Sequence, residues 1–431
     1  MLFKDISILD ENFDHKAHQW VGVKDGKIAY IGDVPPADAA EYGEAYDGTN
    51  RLMMPAMYNA HAHSPMTLLR GYAENATLHD WLNKLVWPFE AKITAEDYHS
   101  ATLLSCAEMA RYGVVSFSDM YFRAEQRAEA IIEAGLKANL ADGVIAFDPD
   151  KPYSDYDAYQ VYETALPKLH GADDGRILMD QTIHAEYTTV DPVVRDIIAY
   201  AKEHGLGVQL HVSETQSEHE ECKGRKNGMT PVQYFESVGL FDVRTVAAHC
   251  VWVEDADMAI LKEHGVFVAS NPASNLKLGS GFAPIPKMLA RGLNVCIGTD
   301  GMASNNNHDM FQDMYLFAMI HKGMGDPTVV TPKETIRAAT RMGALAQGRK
   351  DCGLIKEGFK ADLAVLDTSG PSWWPMTDPL CNLVYAGHGS DVVLTMCDGR
   401  VVYRDGEWPR FDIERVKAEV SARTKRIISE L

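Results

Sequence analysis

Eight short apolar runs alternate with helix-like stretches through the middle of this 431-residue chain. The runs lie at residues 53–61, 114–119, 137–145, 176–185, 207–214, 245–250, 266–271 and 294–300. Helix-like patterns lie between them, for example at 98–113, 193–205 and 255–265, and the last two end in His-Gly, a helix C-terminal signal. Eight alternating units predict an α/β fold, a closed TIM-type (β/α)8 barrel. An open doubly wound sheet is the alternative, although no GxGxxG turn follows an early strand.

Both ends of the chain carry a different pattern, in which short alternating runs are broken by turn residues. Residues 1–55 contain such runs, and residues 360–405 repeat the pattern with Asp-Gly turns. We therefore expect a small β-sandwich domain built from both chain termini. The predicted division is a sandwich of residues 1–55 plus 356–431 and a catalytic barrel of residues 56–355.

The composition makes several classes of partner unexpected. Lys and Arg total 41 against 61 Asp and Glu, a net charge of −20, so neither nucleic acid nor an anionic membrane surface is expected to bind. No uncharged apolar run approaches the length of a membrane span. The seven cysteines show no paired framework and the first residues lack the apolar core of a signal peptide, so we expect a reduced, cytoplasmic protein.

Four of the predicted strands end in histidine or aspartate. His61 and His63 close the first strand, His211 the fifth, His249 the sixth and Asp300 the eighth. Alternate residues of a strand share a face, and the C-terminal ends of barrel strands meet at one mouth. A single polar residue at a strand end is more often structural, but four such strands together indicate a site for a divalent zinc or iron ion.

Two further observations refine this site. Glu214 follows His211 by three residues, where a carboxylate could curl back over the ion and move a proton between water and substrate. A solvated loop position is the alternative for Glu214. A two-metal site commonly needs a bridging Lys or acid on a middle strand, and no Lys occurs between Lys168 and Lys202, so we expect one metal per chain.

Five blocks of sequence resemble the amidohydrolase superfamily, and within it the aminohydrolases of the 5-methylthioadenosine/S-adenosylhomocysteine deaminase type. The blocks are PAMYNAHAHSPMTLLRGYAEN with HDWL (within 55–82), HVSET (211–215), AAHC (247–250), NPASNLKLGSG (271–281) and GTDGMASNNN (298–307). The resemblance implies a zinc-dependent enzyme that converts adenosine, 5'-deoxyadenosine or 5'-methylthioadenosine to its inosine counterpart plus ammonia. Such barrels are commonly dimers or tetramers, so we expect a homo-oligomer with a small-molecule nucleoside substrate.

The resemblance also implies a role for each candidate residue. One Zn²⁺ ion, with Fe²⁺ as the alternative, would have four ligands: His61, His63, His211 and Asp300. The ion would lower the pKa of its bound water, so that hydroxide forms near neutral pH. Asp300 would accept the proton of that water, His249 would orient the water, and Glu214 would protonate the ring nitrogen beside the carbon that bears the amino group.

Candidate substrate contacts come from the same resemblance. Glu90 aligns with the family acid that receives the ribose hydroxyls, and His184 with a family histidine near the sugar and ring, although its TIHAEYT surroundings depart from the usual GPHSPY. Trp87 and Trp81 are candidates for the purine wall, with ordinary core packing as the alternative. The segment 274–281 is expected to support the rim of the site.

Two departures from the family pattern bear on specificity. Relatives that accept S-adenosylhomocysteine place arginines after the third strand, whereas no Arg occurs here from 128 to 175. Because a desolvated carboxylate without a counter-charge is costly, we expect the other three nucleosides to be preferred. Ser270 stands where many relatives carry His.

Two alternative functions remain open at this point. A deaminase or dechlorinase of another heterocycle (guanine, cytosine, pterin or chloro-triazine) would share the same ligand residues. A non-catalytic structural homologue would have lost some of them, and all four ligands are present.

Overall fold

The computed structural model describes residues 1–431, which form eighteen strands and the helices between them. The first five strands are β1 (Leu2–Leu9), β2 (His15–Lys24), β3 (Lys27–Gly32), β4 (Ala45–Asp47) and β5 (Arg51–Pro55). The middle ten are β6 (Met57–His63), β7 (Val114–Tyr121), β8 (Lys137–Asp142), β9 (Ile177–Met179), β10 (Gln181–Ile183), β11 (Val208–Val212), β12 (Thr245–His249), β13 (Phe267–Ser270), β14 (Asn294–Ile297) and β15 (Asp300–Gly301). The last three are β16 (Leu363–Asp367), β17 (Val392–Cys397) and β18 (Arg400–Arg404).

Helices connect the middle strands and close the chain. The longer ones span Ala95–Arg111, Ala124–Ala134, Asp157–Leu169, Asp191–His204, Gln216–Arg225, Asp255–Glu263, Met310–Gly323 and Ile413–Ser429. Shorter ones span Leu78–Asp80, Trp87–Glu90, Pro231–Ser237, Pro272–Lys277, Ile285–Ala290, Pro332–Arg337, Gly343–Ala346 and Pro379–Tyr385. No helix is both long and apolar enough to cross a membrane.

The middle strands form the parallel barrel that the alternation of strands and helices predicted. They hydrogen-bond in the orders β15-β6-β7-β8-β9 and β10-β11-β12-β13-β14. β9 continues into β10: the Asp180 amide between them donates to the Leu140 carbonyl of β8, and the Gln181 amide donates to the Gly207 carbonyl just before β11. β14 leads into β15 through Gly298, where a Cβ atom would lie 2.9 Å from the Cβ of His61. The ten segments therefore act as eight barrel strands, and glycine lets the last approach the first.

One predicted strand was wrong in its bounds. The apolar run at 53–61 spans the end of β5 and the start of β6, which belong to different sheets. Between them, the Ala56 amide donates to the Asp362 carbonyl. Both strands are buried and apolar, so composition alone gave no sign of the change of sheet.

Strands from both ends of the chain share one further sheet. Its order is β18-β17-β16-β5-β1-β2-β3, with β4 paired to β1. Fourteen buried residues form a separate core on this sheet, including Phe3, Val21 and Leu394. The two-layered sandwich and the domain boundaries inferred from the sequence stay predictions.

The sequence pattern predicts strand-like runs up to residue 405 and a β-sandwich to the end of the chain, whereas Ile413–Ser429 form a helix. Its buried residues Val416, Val420 and Ile427 join the main core that includes the barrel. Asp412 begins the helix by accepting hydrogen bonds from the amides of Glu414 and Arg415. The last segment of the chain therefore packs on the barrel and its helices.

Candidate metal centre and active site

Four predicted metal ligands meet at the C-terminal mouth of the barrel. His63 Nε2 lies 3.1 Å from Asp300 Oδ1 and 3.4 Å from His211 Nε2. His61 Nε2 lies 3.5 Å from the same oxygen of Asp300. The ligand atoms of His61, His63 and His211 are all within 4.8 Å of one another. The parallel strands β6, β11 and β15 bring these side chains together because their C-terminal ends share one edge of the barrel.

The orientation of the imidazoles suits a divalent cation. His63 and His211 use Nδ1 to donate to backbone carbonyls, those of Met120 and His184 respectively. Their Nε2 lone pairs then face the cluster, which is how metal-binding histidines are usually fixed. His61 Nε2 is buried without any hydrogen-bond partner, a costly state that a metal ion would relieve. The site therefore fits a metal with histidine and carboxylate ligands.

The backbone is strained at two of the strand ends. His249 has φ 70° and Asp300 has φ 61°, in the left-handed region that residues other than glycine rarely adopt. Such conformations cost about 1–3 kcal/mol each and concentrate at functional sites. Here they turn both side chains toward the same cleft.

Two serine hydroxyls hold the second carboxylate oxygen of Asp300. Ser274 donates to Asp300 Oδ2 at 2.6 Å, and Ser304 donates to the same atom at 3.1 Å. One oxygen of Asp300 thus faces the histidines while the other is fixed by hydroxyls. Asp300 Oδ2 also lies 4.0 Å from His249 Nε2, so the carboxylate is close to His249 as well as to His61 and His63.

Glu214 and His249 stand beside the metal cluster. Glu214 Oε2 lies 3.8 Å from His249 Nε2, and Ser280 donates to Glu214 Oε1 at 3.2 Å. Burial raises the pKa of Glu214, the charge of Asp300 adds to the rise, and His249 opposes it. Asn275 accepts from His249 Nδ1 at 2.8 Å and so leaves the Nε2 lone pair facing the cleft. A raised pKa favours a protonated Glu214, the form that can donate a proton.

Glu90 lines another part of the cleft wall, with a tyrosine as its partner. Tyr121, the last residue of β7, donates its hydroxyl to Glu90 Oε1 at 2.5 Å. Burial raises the pKa of Glu90 to about 7, against the lowering effects of this hydrogen bond and of His63. The carboxylate keeps a second oxygen available to the cleft.

The cleft itself contains nearly all the predicted site residues. His61 is buried and does not line it, whereas the other candidates do: His63, Trp81, Trp87, Glu90, His184, His211, Glu214, His249 and Asp300. His184 binds Thr188 Oγ1 through Nδ1 at 3.1 Å, and Trp81 donates to the Ala73 carbonyl at 3.1 Å. The remaining walls are mainly apolar, and neither Lys nor Arg lines the cleft.

The sequence pattern alone does not identify the partners that fix these side chains. Ser274, Asn275 and Ser280 all lie in the segment that was expected only to support the rim, yet each bonds a different candidate residue. Tyr121 was not singled out either. The only available signal is a polar Ser-Asn pair that follows Asn271-Pro272-Ala273.

Comparisons with known proteins agree with this geometry. The model of the amidohydrolase family matches residues 52–402 of the chain. A 5-methylthioadenosine/S-adenosylhomocysteine deaminase of Dictyoglomus thermophilum is 40% identical over 404 residues, 94% of this chain and 93% of the relative. A 5'-deoxyadenosine deaminase of Methanothermobacter thermautotrophicus is 40% identical over 388 residues, 89% of each chain.

Solved structures place the fold in the same group. An adenosine deaminase of Xanthomonas campestris with bound zinc superposes with a TM-score of 0.93 and 30% identity, covering 99% of this chain and 98% of that one. The barrel, the converging histidines and these similarities lead to one conclusion: the chain belongs to the amidohydrolase family.

Proposed function

We propose that this protein is a metal-dependent hydrolytic deaminase of adenosine-type nucleosides, which it converts to the inosine counterparts with release of ammonia. The observation that carries the proposal is the convergence of His61, His63, His211 and Asp300 beside Glu214 at the base of one largely apolar cleft, which all but His61 line. Relatives named for deamination of 5'-deoxyadenosine and 5-methylthioadenosine support the choice of substrate.

The proposed cofactor is one zinc ion per chain. Its ligands would be the convergent set: His61, His63, His211 and Asp300. When bound, such an ion lowers the pKa of water so that a nucleophile is available near neutral pH. The bound zinc of the adenosine deaminase relative supports zinc over iron.

The chain's own residues supply the proton transfers. Asp300 accepts a proton from the attacking water, and His249 orients that water through Nε2. Glu214 donates a proton to the ring nitrogen next to the amino-bearing carbon, so that this carbon becomes electrophilic. The water oxygen forms a bond to that carbon, the bond from the carbon to the amino nitrogen breaks, and the second water proton leaves with that nitrogen as ammonia. The proton that Asp300 accepted replaces, through solvent, the one that Glu214 gave to the ring nitrogen, so both carboxyl groups return to their starting state.

The cleft walls suit an uncharged nucleoside. Glu90 would accept hydrogen bonds from the ribose hydroxyls, with Tyr121 holding its carboxylate, while His184 and Trp87 would contact the sugar and purine. The wall after strand β8 consists of Gly143, Val144 and Ile145, and no cationic side chain reaches the cleft. S-adenosylhomocysteine is therefore the less favoured substrate, because its carboxylate would lack a partner.

The terminal sheet is proposed to be a small sandwich domain of residues 1–55 plus 356–431, beside the barrel of residues 56–355. The support is that strands far apart in the sheet order share one core. Val21 and Ile28 from β2 and β3 are buried in the same cluster as Leu394 and Met396 from β17.

A substrate screen with a metal assay tests the function. Ammonia release would be measured with adenosine, 5'-deoxyadenosine, 5'-methylthioadenosine and S-adenosylhomocysteine, and with guanine, cytosine, a pterin and a chloro-triazine. We expect about one zinc per chain and the highest kcat/KM for the first three. Chloride release without ammonia, or protein that neither holds nor responds to zinc, would overturn the proposal.

A glutamine variant of Glu214 tests its role as proton donor separately from metal binding. Glu214→Gln keeps the shape of the side chain but removes the proton donor, so kcat should fall at least about 100-fold with the zinc content unchanged. Exposed Glu221→Gln on the next helix is the control. A Glu214→Gln enzyme with normal kcat would exclude the proposed acid.

A further inference from the structure

The turn that carries Glu214 is held by a second buried glutamate. Glu218, 6% exposed, accepts a hydrogen bond from the Ser213 amide at 2.9 Å with Oε1. Its other oxygen, Oε2, accepts from the Glu214 amide at 2.7 Å. One carboxylate therefore accepts hydrogen bonds from two successive backbone N–H groups, those of Glu214 and of the residue before it. Burial, with the charge of Glu214, raises the pKa of Glu218 to about 7, whereas the two amide bonds favour its ionised form, in which such bonds are about twice as strong as neutral ones.

The conformation that Glu218 holds is one that the chain does not adopt readily. Ser213 has φ 48°, in the left-handed region. On the other side of this residue, the Ser213 carbonyl accepts from the amides of Val251 and Trp252 at 3.1 and 3.0 Å. The strained residue is thus fixed through both its N–H and its carbonyl.

The direction of the Glu214 side chain depends on this backbone. Glu214 Oε1 has only the Ser280 hydroxyl as a side-chain hydrogen-bond donor, at 3.2 Å. Oε2 faces His249 at 3.8 Å, beyond hydrogen-bond distance. Side-chain contacts alone therefore hold the carboxylate weakly, and the peptide on which it stands must supply most of its orientation.

Glu218 is itself well placed for this task. It lies in the first turn of the helix Gln216–Arg225, where Thr215 Oγ1 accepts from the Glu218 amide at 3.2 Å. A carboxylate near a helix N-terminus is favoured by the helix dipole, which offsets part of its burial cost. Neither oxygen of Glu218 pairs with Lys or Arg, and its two hydrogen-bond partners are the amides of Ser213 and Glu214.

We propose that Glu218 is a positioning residue for the deamination step, which fixes the Ser213–Glu214 backbone so that Glu214 points at the reacting ring. The inference rests on the proposed function, because it takes Glu214 as the proton donor. Glu218 does not contact the substrate; its effect on the rate passes through Glu214.

A double-mutant cycle tests this dependence. Glu218→Gln, Glu214→Gln and the double variant would be assayed with adenosine, with zinc content and circular dichroism measured for each. In the otherwise native enzyme, Glu218→Gln should lower kcat about 10- to 100-fold, the range typical of groups that orient reactive ones, with KM changed less than about threefold. In the Glu214→Gln background the same change should cost less than about twofold, because the residue it positions is gone.

Two further variants complete the experiment. Glu221→Gln, exposed on the same helix, should keep the native kcat. Glu218→Asp keeps the charge with a shorter reach and should fall between the native enzyme and Glu218→Gln. An equal loss in both backgrounds, a loss confined to KM, or failure of both Glu218 variants to fold would overturn the positioning role. If Glu214→Gln itself kept full activity, the acid assignment would fail instead.

Discussion

Hydrogen bonds to the far side of the reactive groups decide what those groups can do. His249 is the clearest case, because Asn275 accepts from its Nδ1 at 2.8 Å and so determines which nitrogen carries the proton. The Nε2 atom, 3.8 Å from Glu214 Oε2, is then free to accept from a water in the cleft. An imidazole with the opposite tautomer would present a donor at that point.

Asn275→Ala should therefore lower kcat without removing the metal. We expect a loss of about 10- to 100-fold, because the imidazole can then turn or change tautomer. Steady-state kinetics together with zinc analysis would measure it. Asn12→Ala, in an exposed loop, is the matched control. A native kcat in Asn275→Ala would show that His249 needs no such partner.

At the scale of elements, one aspartate joins two helices. Asp97 caps the helix Ala95–Arg111 by accepting from the Thr94 amide at 2.7 Å. The same carboxylate accepts from Arg423 at 3.0 Å and Arg426 at 2.6 Å, both in the C-terminal helix. Burial alone would raise the pKa of Asp97, but these bonds and charges hold it below its usual value. The contact fixes the last helix of the chain to the barrel.

Asp97→Asn should weaken this junction in a pH-dependent way. A lowered pKa in the folded state means that the carboxylate stabilises the fold above its unfolded pKa of about 3.9, and that this contribution is lost as the pH falls further. We expect a loss of about 1–3 kcal/mol in unfolding free energy at pH 7, shrinking at pH 3. Urea unfolding at both pH values, with exposed Glu96→Gln as control, measures the difference. An equal loss at both pH values would contradict this account.

At the scale of the whole molecule, buried charges join the barrel to the terminal sheet. Lys137, the first residue of β8, is 2% exposed and pairs with Asp398 at 2.8 Å and with Asp362. Tyr58 of β6 also donates to Asp362. These contacts lie at the end of the barrel opposite the cleft, where they serve stability instead of chemistry.

Lys137→Met should destabilise the whole molecule, because buried Asp362 would lose its only counter-charge and Asp398 would keep only Arg176, at 3.1 Å, and the more distant Lys360. We expect a loss of about 3–5 kcal/mol in unfolding free energy. Chemical denaturation would measure it, and Lys360→Met serves as the control because that lysine is partly exposed and 3.8 Å from Asp398. A change no larger than the control's would mean that the pair adds nothing to stability.

The sequence by itself determined the barrel and the identity of the histidine and aspartate side chains that meet at its mouth. Apolar runs alternate with helical ones, and His61, His211 and Asp300 each follow such a run, so local pattern and strand geometry sufficed to place them at one mouth. Only the tertiary structure decided which groups orient the reactive side chains of the cleft. Asn275 and Glu218 act through contacts that depend on the folded turn, and the C-terminal helix docks on residues more than 300 positions away. Such contacts leave no periodic trace, because hydrogen-bond partners are chosen by position in space and not by spacing along the chain.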